Sequence, residues 1–399
     1  MPVAVNVRSD RWWRVATFVG FMGIGVVASS WVVRTPAIRT ALDVSTFGMG
    51  VVILCLSIGS MTGLFLAGRL VARLGGRSSI VVSVIAMCLG MALLGVGTAV
   101  SSEPLAAGGL ALLGAGSGIG EVALNVEGSA LEKRRNRSFL PLLHGAFSLG
   151  TLLGAALGAL AEFLDVPLVW HFCVIAVSVA SCSLGVVRFF PPHTGKVATA
   201  ASKSASSGVA VWKNPQILLI GLIALGMAFV EGTANDWLTL SIVDGYSVSP
   251  TAASACYIVF VASMTVTRLL GGGFVDRFGR VACIRTSAGI ATVGVLLVVL
   301  SSDAPLVALV AGCALWGTGV ALGFPLAISA AAATDGAAAE QVGAVSILGY
   351  TAFLVGPPFL GLLGEHLGLL NSFYAVVGAA VLAVLASGAA ARTPRSAGR

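Results

Sequence analysis

The chain has 399 residues, of which 57% are hydrophobic and only 10% are charged. Because soluble globular domains are about 25% charged, this composition excludes an ordinary water-soluble protein and indicates a membrane protein. The formal net charge of +7 would suggest nucleic acid or acidic lipid as the partner of a soluble chain, so its meaning here depends on where the cations lie.

Apolar runs of about 20 residues predict transmembrane helices, and the chain contains twelve such runs. In chain order the predicted spans are 12–34, 46–70, 79–99, 105–130, 139–163, 167–190, 216–240, 250–274, 281–300, 305–332, 342–364 and 369–390. The first run follows three arginines, but it is too long for a signal peptide and no small-residue cleavage site closes it. We therefore expect it to be a retained span.

Lysine and arginine are unevenly distributed among the segments that join these spans. With the N-terminus inside the cell, 21 of the 23 fall in cytoplasmic segments or the adjoining helix ends, Arg268 among them, and only Arg34 and Arg39 fall outside. The positive-inside rule then predicts a multi-pass inner or plasma membrane protein with both termini in the cytoplasm. This topology accounts for the net charge and favours the lipid bilayer, not nucleic acid, as the surroundings of the chain.

The longest polar stretch, 191–214, is rich in serine and alanine and is typical of a flexible cytoplasmic linker. It divides the chain into an N-terminal six-helix bundle at 1–190 and a C-terminal six-helix bundle at 215–399.

Short motifs repeat between these halves. The first copy of the main motif contains Gly68, Arg73, Gly75 and Arg77, and the second, with its matched glycines 204 residues further on, contains Gly272, Asp276, Arg277, Gly279 and Arg280. At nearly the same offset Trp31 matches Trp237, His144 matches Tyr350, and Gly114, Gly116 and Gly120 match Gly317, Gly319 and Gly323. The repetition predicts an all-α membrane protein with twelve transmembrane helices in two pseudo-symmetric bundles, as in a secondary transporter.

The repeated motif resembles the signature of the major facilitator superfamily, Gly-x-x-x-Asp-Arg-x-Gly-Arg-Arg, and the resemblance covers essentially the whole chain. The second copy keeps the acid as Asp276, whereas the first has Ala72 at that place. The resemblance implies that these turns act as a cytoplasmic latch that holds one conformation. The alternative is a plain turn with arginine anchors, and it is the more serious one for the first copy.

Within the superfamily the sequence resembles the fucose-permease-like branch and bacterial inner-membrane proteins related to the rhizopine permease MosC. Segments 118–128, 144–150, 231–237 and 323–325 carry this resemblance. It implies that Glu121, which matches the span-four glutamate of that branch, is a coupling or substrate group. The acid that the branch has in span one is absent here, which puts the two-acid arrangement in doubt.

Ionisable residues inside the spans are the main candidates for function, since burying a charge in a bilayer costs at least about 2.5 kcal/mol. Glu121 has Asn125 one helical turn further on, and Glu231 in span seven has Asn235 in the same relation. Either glutamate could bind protons or substrate, and a structural hydrogen bond is the alternative for Glu121. Asp236 lies on another face near the outer end, where an exterior helix-end acid is the favoured interpretation.

Aromatic and imidazole side chains complete the candidate set. Trp31 and Trp237 are expected to be anchors at the membrane interface, with stacking on a sugar ring as the alternative. His144 could hydrogen bond to substrate or be a satisfied core residue, and Tyr350 could supply a hydroxyl at the matching place.

Two polar groups are expected to act outside the substrate site. Glu127 is predicted to pair with Lys133 or Arg134 at the cytoplasmic end of span four. Arg34 is predicted to cap the outer end of span one, with contact to a substrate anion as the alternative.

The leading hypothesis is proton-coupled uptake of a small polar, sugar- or polyol-like metabolite by alternating access. Export of amphipathic metabolites or drugs and a non-transporting membrane sensor are the alternatives. No nucleophile–base or metal-ligand constellation is present, and the seven cysteines lack CxxC spacing, so we expect neither an enzyme nor a cofactor or metal. The expected partners are a small-molecule substrate, protons and the lipid bilayer, and we expect a monomer.

Overall fold

The computed structural model describes residues 7–135, 140–196, 211–302, 305–334 and 338–391. Within those ranges the chain folds into fourteen α-helices and two short 3-10 helices, without a β-strand. The predicted all-α class is therefore confirmed.

The helix bounds follow the apolar runs closely. The α-helices are α1 (Val7–Val32), α2 (Thr35–Leu42), α3 (Thr46–Leu74), α4 (Gly76–Ala99), α5 (Glu103–Arg135), α6 (Leu140–Phe163), α7 (Leu168–Val187), α8 (Pro215–Tyr246), α9 (Pro250–Leu300), α10 (Leu306–Val320), α11 (Gly323–Ala332), α12 (Ala338–Leu367), α13 (Leu369–Ser372) and α14 (Tyr374–Ala386). The 3-10 helices are Val211–Lys213 and Ser387–Ala390. Eleven helical stretches in the described ranges have the length and hydropathy to cross a membrane.

One of these stretches, α9, accounts for two crossings. It has 51 residues, about 76 Å of helix, which exceeds twice the hydrocarbon thickness of about 30 Å. Its helical backbone is interrupted at Gly279, where φ is 76° and ψ is 166°. With this turn the eleven stretches give the twelve predicted spans.

The repeat in the sequence is also a repeat in the backbone. Gly75, between α3 and α4, has φ 85° and ψ 163°, nearly the values of Gly279, its match 204 residues further on. Asp43 and Ser247, again 204 residues apart, both have φ 52°. Because a positive φ is most accessible to glycine, the turn conformation explains why Gly75 and Gly279 are the same residue in both halves.

By its internal contacts the chain divides into two compact units. One comprises Met1–Ser202 with Ser249–Ala255, and the other Lys203–Val248 with Cys256–Arg399.

In the first unit, glycines allow α5 to pack closely against two helices. A β-carbon on Gly114 would clash with the Leu56 carbonyl of α3, and one on Gly116 would clash with the backbone of Met87 in α4. The small side chains at these positions therefore fix the packing of α5.

The second unit repeats this packing. A β-carbon on Gly317 of α10 would clash with the Phe260 carbonyl, and one on Gly319 would clash with the backbone of Ala291. Each of these four residues lies 203 or 204 residues after its counterpart in the first unit. The two halves thus share turn conformation and interhelical contacts.

Candidate functional site

Glu121 lies on an open face of α5 in the first unit. The neighbouring faces, about 60° to either side, hold Gly118, which packs against α3, and Leu124, which packs against Gly20 of α1. Between them the Glu121 side chain is exposed, and its carboxylate has no hydrogen bond or ion pair with a described residue. An unneutralised carboxylate therefore stands in the middle of a membrane-spanning helix.

Asn125 shares this face, as its spacing predicts. Its Nδ2 donates to the backbone carbonyl oxygen of Glu121 at 2.9 Å. The contact uses one amide hydrogen of Asn125 and leaves the Glu121 carboxylate untouched. Asn125 therefore orients its own amide on the open face and does not neutralise the acid.

His144 of α6 has an exposed side chain, so the alternative of a buried core histidine is wrong. Its imidazole ring lies 5.5 Å, centroid to centroid, from the ring of Phe21 in α1. The close packing of α1 with α6 explains this position. The ring contact holds one side of the imidazole and leaves His144 at the surface of the unit.

A half-buried ion pair lies in the second unit. Arg268 Nη2 of α9 is 2.8 Å from Glu231 Oε1 of α8, and Arg268 Nε donates to the Ala321 carbonyl at 3.3 Å, where α10 gives way to α11. Arg268 comes 11 residues before Gly279, about 16 Å along the helix. The expectation that it is a cytoplasmic helix-end cation is therefore wrong, because the helix continues well past it.

Tyr257 of α9 contacts the polar residues of α8. Its hydroxyl donates a hydrogen bond to Asn235 Oδ1 at 3.1 Å. The carboxylates of Glu231 and Asp236 also act on this hydroxyl electrostatically. Tyr257 is only 1% exposed. Sequence reasoning missed it, although the chain has only four tyrosines and this one lies inside a predicted span.

Asp236 is half-buried on α8 and has no hydrogen bond or ion pair with a described residue. The helix continues ten residues beyond it to Tyr246, about 15 Å further along the axis. The interpretation of Asp236 as an exterior helix-end acid is therefore wrong, because α8 is longer than the apolar run from which it was predicted.

Tyr350 of α12 is half-buried, and its ring centroid lies 6.3 Å from that of Phe324 in α11. Phe324 occupies the place that Glu121 has in the first half. The two halves therefore differ at the place where the first presents its open carboxylate.

Trp31 and Trp237 are buried in the interior of their units and do not face lipid. Their side chains are 1% and 0% exposed, so the expected anchoring role is wrong, and neither ring offers an open face for stacking. The Trp237 Nε1 donor has no hydrogen-bond partner in the described part of the chain. Both tryptophans fill the protein interior because the faces of α1 and α8 that carry them are packed.

The first motif turn is covered from two sides. The Gly76 amide donates to the Thr194 carbonyl at 2.8 Å, and a β-carbon on Gly76 would clash with Glu127 Oε1. Glu127 is completely buried, and its Oε2 accepts a hydrogen bond from Trp13 Nε1 at 2.9 Å.

The predicted pairing of Glu127 with Lys133 or Arg134 is therefore wrong. Arg134 is seven residues away, about 10 Å along the helix, and pairs with Asp10 at 3.0 Å. Glu127 instead meets α1 and the start of α4. Arg73 on this turn is exposed, Arg77 is half-buried, and a β-carbon on Gly68 would meet nothing within 4 Å.

The second motif turn is open within its own unit. A β-carbon on Gly272 or Gly279 would meet nothing within 4 Å. Asp276 is exposed and makes no ion pair with a described residue. The Arg277 guanidinium lies over the Phe278 ring at 5.3 Å, and Arg280 is half-buried.

Arg34 joins two segments at the other end of the first unit. Its guanidinium pairs with Glu162, and its Nη2 donates to the Val166 carbonyl at 2.9 Å. Burial lowers the pKa of Arg34, while the carboxylates of Glu162 and Asp165 oppose this effect. These contacts tie the end of α1 to the loop between α6 and α7, which is a structural role.

Comparisons with known proteins agree with this architecture. A family model of the Major Facilitator Superfamily matches residues 15–353. The chain is 34% identical over 377 residues to the uncharacterized transporter y4wD of Sinorhizobium fredii, covering 94% of this chain and 97% of y4wD. It is 26% identical over 366 residues to the membrane protein MosC of Rhizobium meliloti, covering 91% of this chain and 86% of MosC.

Solved structures share the fold. The nucleoside transporter NupG has a TM-score of 0.73 at 15% identity, with 96% of this chain and 99% of NupG covered. The E. coli fucose:proton symporter FucP has a TM-score of 0.63 at 16% identity, with 95% and 98% covered. The relatives in this family are transporters, in agreement with the expectation that the chain is not an enzyme.

Proposed function

The chain belongs to the major facilitator superfamily, and from this membership we propose that it carries a small polar, sugar- or polyol-like metabolite across the inner membrane in symport with protons. The two units would alternate access to the substrate between the two sides of the membrane. Both termini would lie in the cytoplasm, and the monomer would be the working unit.

Glu121 is the observation that carries this proposal. A carboxylate within a span is costly unless it is paired, protonated or in contact with substrate, and Glu121 has no partner among the described residues. Binding and release of a proton would let Glu121 face each side of the membrane in turn without carrying a permanent negative charge. Glu121 is accordingly our candidate for the coupling group.

The polar groups near the open faces favour a hydroxyl-rich substrate. Asn125 has a neutral amide on the open face of α5, and His144 and Tyr350 are the other uncharged polar side chains that we include in the candidate set; groups of this kind suit sugar hydroxyls. The fold neighbours FucP and NupG are a fucose symporter and a nucleoside transporter, and both substrates contain a sugar. This likeness supports a carbohydrate-like class and leaves the individual compound to experiment.

The proposal is tested in proteoliposomes with radiolabelled fucose, myo-inositol and adenosine as probes and an internal pH dye. We expect one probe to enter together with protons, and an inward proton gradient to drive its accumulation. Glu121→Gln should abolish gradient-driven accumulation.

Glu103→Gln is the matched control, since Glu103 is an exposed acid in the first turn of the same helix. It should transport like the unmodified chain. Unchanged proton movement and accumulation in the Glu121→Gln protein would overturn the coupling role. Drug resistance on overexpression, without uptake of any probe, would favour export.

A further inference from the structure

Three acids lie on α8 of the second unit, Glu231, Asp236 and Asp244. Arg268 of α9 forms an ion pair with Glu231, whereas Asp236 has no ion pair or hydrogen bond with a described residue. Of these two acids in the apolar part of the helix, Glu231 is therefore neutralised and Asp236 is not. The two acids are five residues apart and point in directions about 140° apart, so one guanidinium does not serve both on the same face.

Glu231 is the neutralised acid. Its Oε1 lies 2.8 Å from Arg268 Nη2, and the same guanidinium is also held by the Ala321 carbonyl. The two side chains are 15% and 28% exposed. Removing one member of such a pair leaves a desolvated charge behind, so this pair is suited to holding α9 against α8.

Asp236 has different surroundings. It lies about 15 Å from the C-terminal end of α8, within the apolar stretch, and has no cation or hydrogen-bond donor from a described residue. Its carboxylate acts electrostatically on Tyr257, whose hydroxyl donates a hydrogen bond to Asn235 Oδ1. Among the described residues Asp236 thus has polar groups nearby but no ion pair that compensates its negative charge.

The other helices of this unit bring few charges towards α8. In the described ranges α10, α11, α13 and α14 contain no charged residue, and the charged residues of α12 lie in its end turns. Besides Glu231 and Asp236, α8 itself has the titratable residues Asp244 and Tyr246. The titratable or charged groups on the neighbouring elements are Cys256, Tyr257, Arg268, Asp276, Arg277, Arg280, Cys283 and Arg285 of α9, Glu340, Tyr350, Glu365 and His366 of α12, Cys313 of α10, Tyr374 of α14, and Lys213 before α8.

We propose that Asp236, and not Glu231, is the proton-accepting carboxylate of the C-terminal unit, with Tyr257 and Asn235 as its polar surroundings. The step is the transfer of one proton from water to an Asp236 carboxylate oxygen and its return to water, with no other bond changed. Glu231 and Arg268 form a fixed pair that positions α9. This inference rests on the proposed proton coupling and assigns its site in the second half.

Difference infrared spectroscopy tests the assignment without a known substrate. The purified full-length chain is titrated with acid in nanodiscs, and the carbonyl band of protonated carboxyl groups is followed in H2O and D2O. We expect two membrane-embedded acids to contribute to the band, Glu121 and Asp236. Asp236→Asn should remove one contribution and Glu121→Gln the other.

Asp276→Asn is the matched control because Asp276 is exposed at the motif turn. It should leave the embedded-acid contributions unchanged. If Asp236→Asn does not fold, Asp236→Glu carries the test, because a protonated glutamate should retain the contribution at a shifted frequency.

A spectrum of Asp236→Asn identical to that of the unmodified chain would overturn the assignment, as would an unshifted band in Asp236→Glu. Loss of the Glu121 contribution is a separate result, so failure of the coupling proposal and failure of this inference can be told apart.

Discussion

Trp13 and Glu127 are joined by a buried hydrogen bond, with Trp13 Nε1 donating to Glu127 Oε2 at 2.9 Å. The bond connects α1 to α5 beside the first motif turn, where the Glu127 carboxylate also lies against Gly76. In the motif itself this turn has Ala72 where the second copy has Asp276. A carboxylate thus reaches the first turn from another helix.

Loss of this hydrogen bond should destabilise the first unit. Trp13→Phe keeps most of the ring volume and removes the donor, and leaving the buried Glu127 oxygen without its partner should cost about 1–3 kcal/mol. We expect a lower midpoint of thermal unfolding for the purified protein in detergent. Trp12→Phe is the control, because Trp12 is 44% exposed and stacks on Phe189. An equal or larger loss in the Trp12 variant would contradict the importance of the buried bond.

The Arg268–Glu231 pair should show energetic coupling. Arg268→Gln and Glu231→Gln each leave one charge inside the membrane, whereas the double variant leaves neither. The double variant should therefore be more stable than the sum of the single losses predicts, by about 0.5–3 kcal/mol. Chemical denaturation of the four proteins in one detergent measures this term, and strict additivity would show that the side chains do not interact.

The number of crossings and the duplicated turn could be predicted because they depend on local sequence. Apolar run length sets a span, and a glycine in a polar turn between runs marks a reversal. The sequence alone therefore predicts turns at Gly75 and Gly279. The end of a helix is less well predicted: the apolar run ends at residue 240, whereas α8 extends to Tyr246.

The partners of the polar side chains could not be predicted in this way. Helical periodicity puts Glu231 and Asn235 on one face but does not say that Arg268 and Tyr257 of α9 will meet them. Arg268 was counted with the cytoplasmic cations because the positive-inside rule sums charges and ignores pairs. The anchoring role expected for Trp31 and Trp237 is wrong for a related reason. The position of a residue along a helix does not show whether its side of the helix is buried in the protein or faces lipid.

Substitution of the packing glycines of α5 should depend on what each one faces. A β-carbon on Gly114 would clash with the Leu56 carbonyl, and this backbone atom cannot move without shifting α3. Gly114→Ala should therefore cost about 1–3 kcal/mol, the usual range for overpacking. Gly108→Ala on the same helix is the control, because its β-carbon meets nothing within 4 Å, and it should be neutral or stabilising. Equal losses in both would contradict the packing argument.

The two motif turns should differ in their tolerance of alanine. Gly75 and Gly279 have φ of 85° and 76° with ψ of 163° and 166°, a conformation that is essentially restricted to glycine, so alanine is strained at both by about 1–3 kcal/mol. At Gly75 the new methyl group would also press on the Pro192 carbonyl at 3.1 Å, whereas at Gly279 it would meet open space. Gly75→Ala should therefore lower the unfolding midpoint more than Gly279→Ala. Gly272→Ala, on an open helical face, controls for the added methyl and should have no cost. A lower unfolding midpoint for Gly279→Ala than for Gly75→Ala would contradict this argument, because it would require a contact of the second turn that the added methyl group disturbs.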